Sequence, residues 1–224
     1  RLDGIGMGNV FQVASSDLNV LWGVENGWLV GPRQLFAKID GLDLREVRTI
    51  GGDLDTSQLQ RILELEKNLH EMAKPIVDVA GQDKQAIVFT ASVKQAHSIC
   101  EKIRDYHNRA FGSDTQAVAL DGTLSPQDPK RKQIVKEFKA GSIQFLCNCG
   151  VATEGFDAPG VRLIAIGRPT KSRALYQQML GRGLRPLAGV VDNLATRDER
   201  LDSIKNSIKP NCTVLDFVGQ SGKH

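Results

Sequence analysis

Short apolar runs alternate with amphipathic helical segments from residue 85 onward, and this alternation limits the folds open to the chain. Each run is short enough for a strand buried on both faces, and each longer segment has apolar residues at helical spacing. Strands that alternate with helices predict a parallel sheet covered by helices on both faces, a doubly wound α/β fold. The predicted strands are residues 86–91, 115–120, 143–148, 161–167 and 212–219, and the predicted helices are 92–111, 125–141 and 172–184.

The first 80 residues have a different character and predict an N-terminal helical and strand extension. They contain one candidate strand, one long candidate helix whose apolar face includes Leu65, and a glycine-containing stretch, RTIGGDLD, that is typical of a flexible joint. A later charged segment is expected to be a mobile excursion from the α/β domain. The predicted units are residues 1–80 (extension or linker, with the strand at 33–39, the joint at 48–55 and the helix at 56–80), 81–224 (α/β domain) and 187–211 (excursion).

Composition is that of an ordinary globular chain, with 41% hydrophobic and 25% charged residues. No apolar run reaches the roughly 18 residues that a membrane span needs, and no signal peptide opens the chain, so we expect a cytoplasmic protein without a membrane partner. The chain begins at Arg1, which suggests that the numbering starts inside a longer protein. The four cysteines are scattered and lack zinc spacing, so we expect reduced thiols and no metal site.

Positive charge is concentrated in one stretch, residues 158–191. This stretch has six basic residues and no acidic one, and without those six the chain has 23 basic against 26 acidic residues. A solvated surface normally mixes both signs. The one-signed stretch therefore favours an anionic partner such as a phosphate or a nucleic acid.

Within that stretch, YQQMLGRGLRP places two arginines and two glycines on a segment that otherwise has helical spacing. Arginines at a helix end are commonly solvated, or complement the helix dipole. Each glycine, however, costs about 1 kcal/mol relative to alanine inside a helix. We therefore expect a ligand that approaches the backbone closely, and the planar guanidinium forks indicate a phosphate.

Together with two further segments, this stretch resembles the second RecA-like domain of superfamily II DNA helicases and translocases. The segments are AIVFTASVKQA (86–96), VATEGFDAPGV (151–161) and YQQMLGRGLRP (176–186), in the order and spacing of that family. The resemblance covers residues 86–218. It is strongest to the phage and bacterial DEAD/DEAH-type branch related to the translocation (type III Res) subunits of restriction enzymes.

The resemblance implies a nucleotide role for two motifs. Arg182 and Arg185 would be arginine fingers that reach the γ-phosphate of ATP, and three-residue spacing would place them on one helix face. Gln178, one turn earlier, would orient the attacking water or sense the nucleotide, and Gly181 would let the phosphates approach. In the other motif, Gly155 would permit a close backbone approach and Asp157 would bind the ribose, although Asp before Ala-Pro is also a common cap.

A second group of residues would contact the nucleic-acid backbone without reading its sequence. Ser92 lies where a strand becomes a helix, and it is equally well explained as a plain N-cap. Arg131 would bind DNA or else hold a loop in place. Cys149 replaces a threonine that is usual in the RNA-directed branch, which favours DNA. The full set is Ser92, Gly122, Arg131, Thr153, Lys171 and Arg173.

The sequence contains no G-x-x-x-x-G-K-[ST] motif and no D-E-x-[DH] carboxylate pair, so it cannot hold the nucleotide by itself. The resemblance implies that ATP and Mg²⁺ are held mainly by an N-terminal RecA-like domain of the same polypeptide, and that this fragment alone is inactive. We expect the C-terminal motor domain of an ATP-dependent DNA helicase acting on single-stranded or duplex DNA. The alternatives are a duplex translocase subunit of a restriction-type complex and a non-enzymatic nucleic-acid-binding module.

Overall fold

A computed structural model describes residues 19–40, 42–44, 46–150 and 157–217. The strands in these ranges are β1 (Gly31–Phe36), β2 (Thr49–Ile50), β3 (Asp53–Leu54), β4 (Gln85–Phe89), β5 (Ala117–Asp121), β6 (Phe145–Cys149), β7 (Val161–Ile166) and β8 (Asn211–Asp216). The helices are α1 (Val20–Glu25), α2 (Thr56–Leu63), α3 (Glu66–Ala80), α4 (Val93–Phe111), α5 (Pro129–Lys139), α6 (Arg173–Gly181) and α7 (Arg197–Asn206).

Six of the strands form one parallel sheet in the order β1-β8-β7-β4-β6-β5. The central strand β4 is buried at all five positions. Its residues alternate between the two faces: Ala86 and Val88 belong to the core cluster that includes α2, α3 and α4, whereas Ile87 and Phe89 belong to the cluster that includes α5 and α6. Helices therefore cover both faces, and the predicted doubly wound α/β fold is confirmed.

The N-terminal region contributes an edge strand to this sheet. β1 pairs in parallel with β8, with Gly31 opposite Asn211. It begins and ends earlier than the strand predicted at 33–39, and Pro32 is tolerated because an edge strand needs fewer backbone donors. The sheet thus contains a strand from the predicted extension, residues 1–80, and strands from the predicted α/β domain, residues 81–224.

The single helix predicted at 56–80 is wrong, because the structure has two helices that meet at Glu64 and Leu65. Asn68 donates its side-chain amide to the carbonyl of Ile62 across the break, at 2.7 Å. Leu65, predicted on the apolar face, is 56% exposed. On either side of the break, α2 and α3 each turn an apolar face toward the core.

The joint predicted at 48–55 is instead the antiparallel hairpin β2–β3, in which Thr49 pairs with Leu54. Gly51 and Gly52 form its turn with φ of 59° and 85°, a conformation that favours glycine. The turn chemistry is visible in the sequence, but the flanking strands are only two residues long.

Helix α5 begins at Pro129 and not at residue 125 as predicted. The side chain of Asp128 accepts a hydrogen bond from the amide of Lys130 at 2.8 Å and caps the helix. Proline disfavours the helical conformation in the residue before it, so the helix starts at Pro129.

Helix α7 lies in the predicted excursion and packs on the domain. Ile204 is buried, and the guanidinium of Arg200 donates to the carbonyl of Asn26 at 3.0 Å and stacks 3.9 Å from the ring centroid of Trp28. These contacts join α7 to the region before β1. The mobility of residues 187–211 stays a prediction.

Candidate functional site

The amino ends of the parallel strands form one end of the sheet, which we call the amino edge, and their carboxyl ends form the opposite, carboxyl edge. The amino edge carries an ion pair between two residues of the predicted nucleotide site. A guanidinium nitrogen of Arg185 lies 2.8 Å from a carboxylate oxygen of Asp157, and the two side chains are 53% and 46% exposed. Asp157 lies just before β7. The carbonyl of Leu184 accepts a hydrogen bond from Val30, just before β1, at 2.8 Å. The six strands of the main sheet run parallel, so the starts of β1 and β7 lie at the same end of it. The ion pair therefore lies at the amino edge.

Arg182 lies at the end of α6, as its C-cap, and is half-buried. The amide of Gly183 donates to the carbonyl of Leu180 at 2.9 Å, so the last turn is tightened. The expectation that Arg182 and Arg185 share a helix face is therefore wrong, because α6 ends before Arg185. Gln178 is half-buried one turn before Arg182 on the same helix.

The two glycines of this segment have different surroundings. A Cβ on Gly183 would overlap Cys212 Sγ and lie 2.7 Å from Ile164 Cγ1, whereas a Cβ on Gly181 would meet nothing within 4 Å. Gly183 is thus required for packing of the loop on β7 and β8, and not for the close approach of a ligand. Open space remains beside Gly181, where the sequence predicts phosphates.

Lys209 also lies at the amino edge, and sequence reasoning missed it. Its side chain is 1% exposed, and its Nζ donates to the carbonyls of Pro159 at 2.7 Å and Arg185 at 2.6 Å. Burial lowers the pKa of Lys209 to about 8, and burial raises the pKa of the neighbouring Cys212 thiol to about 12. A lysine just before a strand normally indicates a solvated strand start, so no sequence signal marks it.

The carboxyl edge carries the predicted nucleic-acid residues that follow β7. Lys171 and Arg173 are exposed at the start of α6, and Ser172 caps that helix. The carboxylate of Asp53, in the β2–β3 hairpin, accepts hydrogen bonds from the Thr170 hydroxyl at 2.8 Å and from the Lys171 amide at 2.7 Å. Sequence reasoning did not anticipate this role of Asp53, because it depends on a contact between distant parts of the chain.

Two further predicted residues at this edge have structural partners. Ser92 is buried, accepts a hydrogen bond from the amide of Gln95 at 2.9 Å and donates to Glu64 at 2.5 Å. Arg131 donates to the carbonyl of Leu124 at 3.1 Å. The capping and loop-holding roles left open by the sequence are therefore present.

Gly122 follows β5 and is exposed, with nothing within 4 Å of a Cβ built on it. It lies at the carboxyl edge of the sheet, as Ser92 and Lys171 do. Gly155 and Thr153 lie outside the described residues.

The predicted residues that the structure describes thus separate into two groups at opposite edges of the sheet. Nucleotide candidates lie at the amino edge, although ligands of such sheets were expected beyond the carboxyl ends of the strands. Nucleic-acid candidates lie at the carboxyl edge. Helix α6 joins the two groups: it begins after the carboxyl end of β7, ends near Arg182, and its nine residues span roughly 13 Å.

Neither a metal site nor a membrane span is present in the described ranges. No group of three or more His, Cys, Asp or Glu side chains is placed to hold a metal ion there. No described helix is long and apolar enough to cross a membrane.

Comparison with known proteins gives one family and several relatives. Residues 57–186 match the family described as helicase conserved C-terminal domain. The chain is 27% identical to the ATP-dependent helicase IRC3 of Saccharomyces cerevisiae, over 88% of this chain and 25% of that protein. It is 29% identical to the mitochondrial ATP-dependent helicase irc3 of Schizosaccharomyces pombe, over 87% of this chain and 27% of that protein. The chain therefore spans about a quarter of the length of these relatives.

Two solved structures share the fold. A fragment of an HsdR subunit of a type I restriction enzyme from Vibrio vulnificus YJ016 aligns with a TM-score of 0.57 at 15% identity, over 90% of this chain and 34% of that chain. Mycobacterium smegmatis helicase Lhr, bound to ssDNA and AMP-PNP, aligns with a TM-score of 0.52 at 16% identity, over 86% of this chain and 20% of that chain. Both alignments show the RecA-like fold predicted from the sequence.

Proposed function

The chain belongs to the family of helicase conserved C-terminal domains, and on that premise we propose that it is the second RecA-like lobe of an ATP-dependent DNA helicase or translocase. The observation that carries the proposal is the half-exposed pair of Arg185 and Asp157 at the amino edge, beside the end of α6. The domain bounds that we propose are residues 81–224 for the lobe and 1–80 for an extension that leads into it from a first lobe and that contributes β1, α2 and α3 to its packing.

The ion pair is the resting arrangement of a nucleotide site in this proposal. An exposed pair contributes roughly 0–1 kcal/mol to stability, so its release costs little. When the first lobe presents ATP, Arg185 leaves Asp157 and donates to the γ-phosphate, while Asp157 accepts a hydrogen bond from the ribose. Arg185 and Asp157 thus hold each other in place until ATP binds to both.

Catalysis follows from where negative charge develops. Charge spreads over the phosphoryl oxygens in the transition state, and a fixed cation there is worth about 10³ to 10⁵ in rate, or about 4–7 kcal/mol. Arg182 and Arg185 supply two such cations. Gln178, one turn before Arg182, orients the attacking water. The first lobe holds Mg²⁺, which neutralises charge on the phosphates when bound.

The carboxyl edge provides the grip on nucleic acid in this proposal. Lys171 and Arg173 contact backbone phosphates, which gives affinity without sequence specificity. Gly122, Arg131 and the N-terminus of α4 at Ser92 extend this surface across the sheet. Because α6 runs from Arg173 to the arginine fingers, a change at the nucleotide is transmitted to the grip by movement of one rigid helix.

The test is nucleic-acid-stimulated ATP turnover by the full-length polypeptide with Arg182→Ala or Arg185→Ala. We expect kcat to fall at least a hundredfold with an unchanged unfolding temperature, because the transition-state cation is lost. Arg109→Ala is the matched control: Arg109 is an exposed arginine in the last turn of α4, and we expect turnover to stay within twofold. Unchanged turnover in either finger variant contradicts the proposal.

Two outcomes separate the proposal from its alternatives. Full-length protein that binds DNA but never hydrolyses ATP is a non-enzymatic module. Protein that displaces a triplex strand but does not separate a duplex is a translocase without helicase activity, so both displacement assays are run side by side.

A further inference from the structure

A lysine buried beside the proposed nucleotide site has no part in the mechanism described so far. Lys209 has one of the largest fully buried side chains among the described residues. Burial of an ammonium group is unfavourable unless the group is well compensated, and an apolar side chain of similar length often stabilises such a position more. Its presence therefore calls for a role other than filling the core.

The two hydrogen bonds of Lys209 end on two different loops. One acceptor is the carbonyl of Pro159, two residues after Asp157, and the other is the carbonyl of Arg185 itself. The distances of 2.7 and 2.6 Å are those of charge-assisted hydrogen bonds. The Lys209 ammonium thus joins the backbone near Asp157 to the backbone of Arg185.

The neighbouring packing gives the arginine loop few alternative positions. Gly183, two residues before Arg185, lies against Cys212 and Ile164 so closely that a Cβ would overlap the Cys212 sulfur. Val30 donates to the carbonyl of Leu184 at 2.8 Å. Lys209 provides the next fixed point along this loop, and it joins the backbone of the loop to the backbone of the segment that carries Asp157.

We propose that Lys209 is a positioning residue that sets the separation of Asp157 and Arg185, so that ribose and γ-phosphate are engaged together. The inference rests on the proposed nucleotide role of this edge. Arg185 must be placed within a fraction of an ångström to act on a transition state, and a misplacement of about 1 Å can cost about 10²-fold in rate. Lys209 touches neither ATP nor the reacting atoms.

The experiment is steady-state ATP turnover by the full-length polypeptide with Lys209→Met. We expect kcat to fall at least tenfold and KM for ATP to change less than threefold, because the ground state needs less precise placement than the transition state. The unfolding temperature should stay equal or rise. A purely structural lysine would instead lower the unfolding temperature and leave kcat unchanged at permissive temperature.

Lys84→Met is the matched control, since Lys84 is half-buried, precedes β4 and donates to the carbonyl of Val79 at 2.9 Å. We expect this variant to keep wild-type kcat. Turnover by Lys209→Met within threefold of wild type overturns the inference. If that result comes with an inactive Arg185→Ala variant, the proposed function stands and only the role of Lys209 falls. If Arg185→Ala is also active, the proposed function falls with it.

A pH profile of the wild-type protein gives a readout that does not depend on a variant that folds. The groups that act on the Lys209 charge are Cys212, Arg162 and Asp157, and burial raises the pKa of Cys212 to about 12, well above the tested range. We expect kcat to decline between pH 7.5 and 9.5, as the ammonium loses its proton with a pKa of about 8, and the decline to persist in Lys84→Met. Wild-type kcat that stays constant over this range contradicts the inference.

Discussion

At the amino edge of the sheet, three side chains depend on one another in different ways. Arg185 and Asp157 form a half-exposed ion pair, and breaking such a pair costs little. Lys209 is buried and holds the backbone on which both depend. In this proposal the exposed groups carry the chemistry, whereas the buried ammonium sets its geometry, and burial disfavours the charged form of that ammonium.

The cost of that buried ammonium predicts how stability changes with pH. Burial lowers the pKa of Lys209 from 10.5 in the unfolded chain to about 8 in the folded one. Between these values the unfolded state binds more protons, so the unfolding free energy rises with pH, and the destabilisation is fully present below pH 8. The whole shift corresponds to roughly 3 kcal/mol.

Denaturant unfolding at pH 7.5 and pH 10 measures this contribution. Other groups also titrate there, so the quantity of interest is the difference between wild type and Lys209→Met. We expect this difference to shift by roughly 2 kcal/mol in favour of the wild type as pH rises. A difference that is the same at both pH values would show that the pKa of Lys209 is the same in the folded and the unfolded chain.

The sequence predicts the exposed members of this site better than the buried one. Motif spacing selects Arg182, Arg185 and Asp157 as candidates, and their roles stay predictions, whereas the prediction of a shared helix face is wrong. Lys209 is not found, because a sequence does not show that a lysine before a strand is enclosed by loops 50 and 24 residues away.

At the scale of elements, α6 and the loop after it connect the two edges of the sheet. The helix ends at Gly181, and the loop passes directly over β7 and β8 at Gly183. The two glycines, which are separated by Arg182 alone, are therefore expected to respond in opposite ways to the same substitution.

Gly183→Ala should lower the unfolding free energy by about 1–3 kcal/mol, because a new Cβ must displace Cys212 and Ile164 in a packed core. Gly181→Ala should leave stability unchanged or raise it by up to about 1 kcal/mol, since the site is open and alanine favours helix. The two variants are compared by denaturant unfolding of the chain. Equal losses in both would mean that the loop does not pack as described.

The apolar runs predict β4, β6 and β7 well, because a parallel strand that is buried on both faces is a nearly continuous run of apolar residues. The hairpin β2–β3 and the break between α2 and α3 are not predicted. Asp53 is held by Thr170 and Lys171, more than a hundred residues away, and Asn68 bonds across the helix break. Such contacts decide short elements more than local propensity does.

For the whole molecule, the proposal divides the sheet into a nucleotide edge and a nucleic-acid edge joined by one helix. The basic stretch 158–191 contributes residues to both edges: Arg182 and Arg185 to the nucleotide edge, and Lys171 and Arg173 to the nucleic-acid edge. In this proposal the lobe carries half of an ATP site, and a first lobe that binds the nucleotide completes it.

The most direct test is a structure of the full-length polypeptide with DNA and a non-hydrolysable ATP analogue. We expect Arg185 to have left Asp157 and to lie within about 3 Å of a γ-phosphate oxygen, and Asp157 to accept a hydrogen bond from the ribose. Arg185 still paired with Asp157 and directed into solvent, with the nucleotide bound elsewhere, would contradict it.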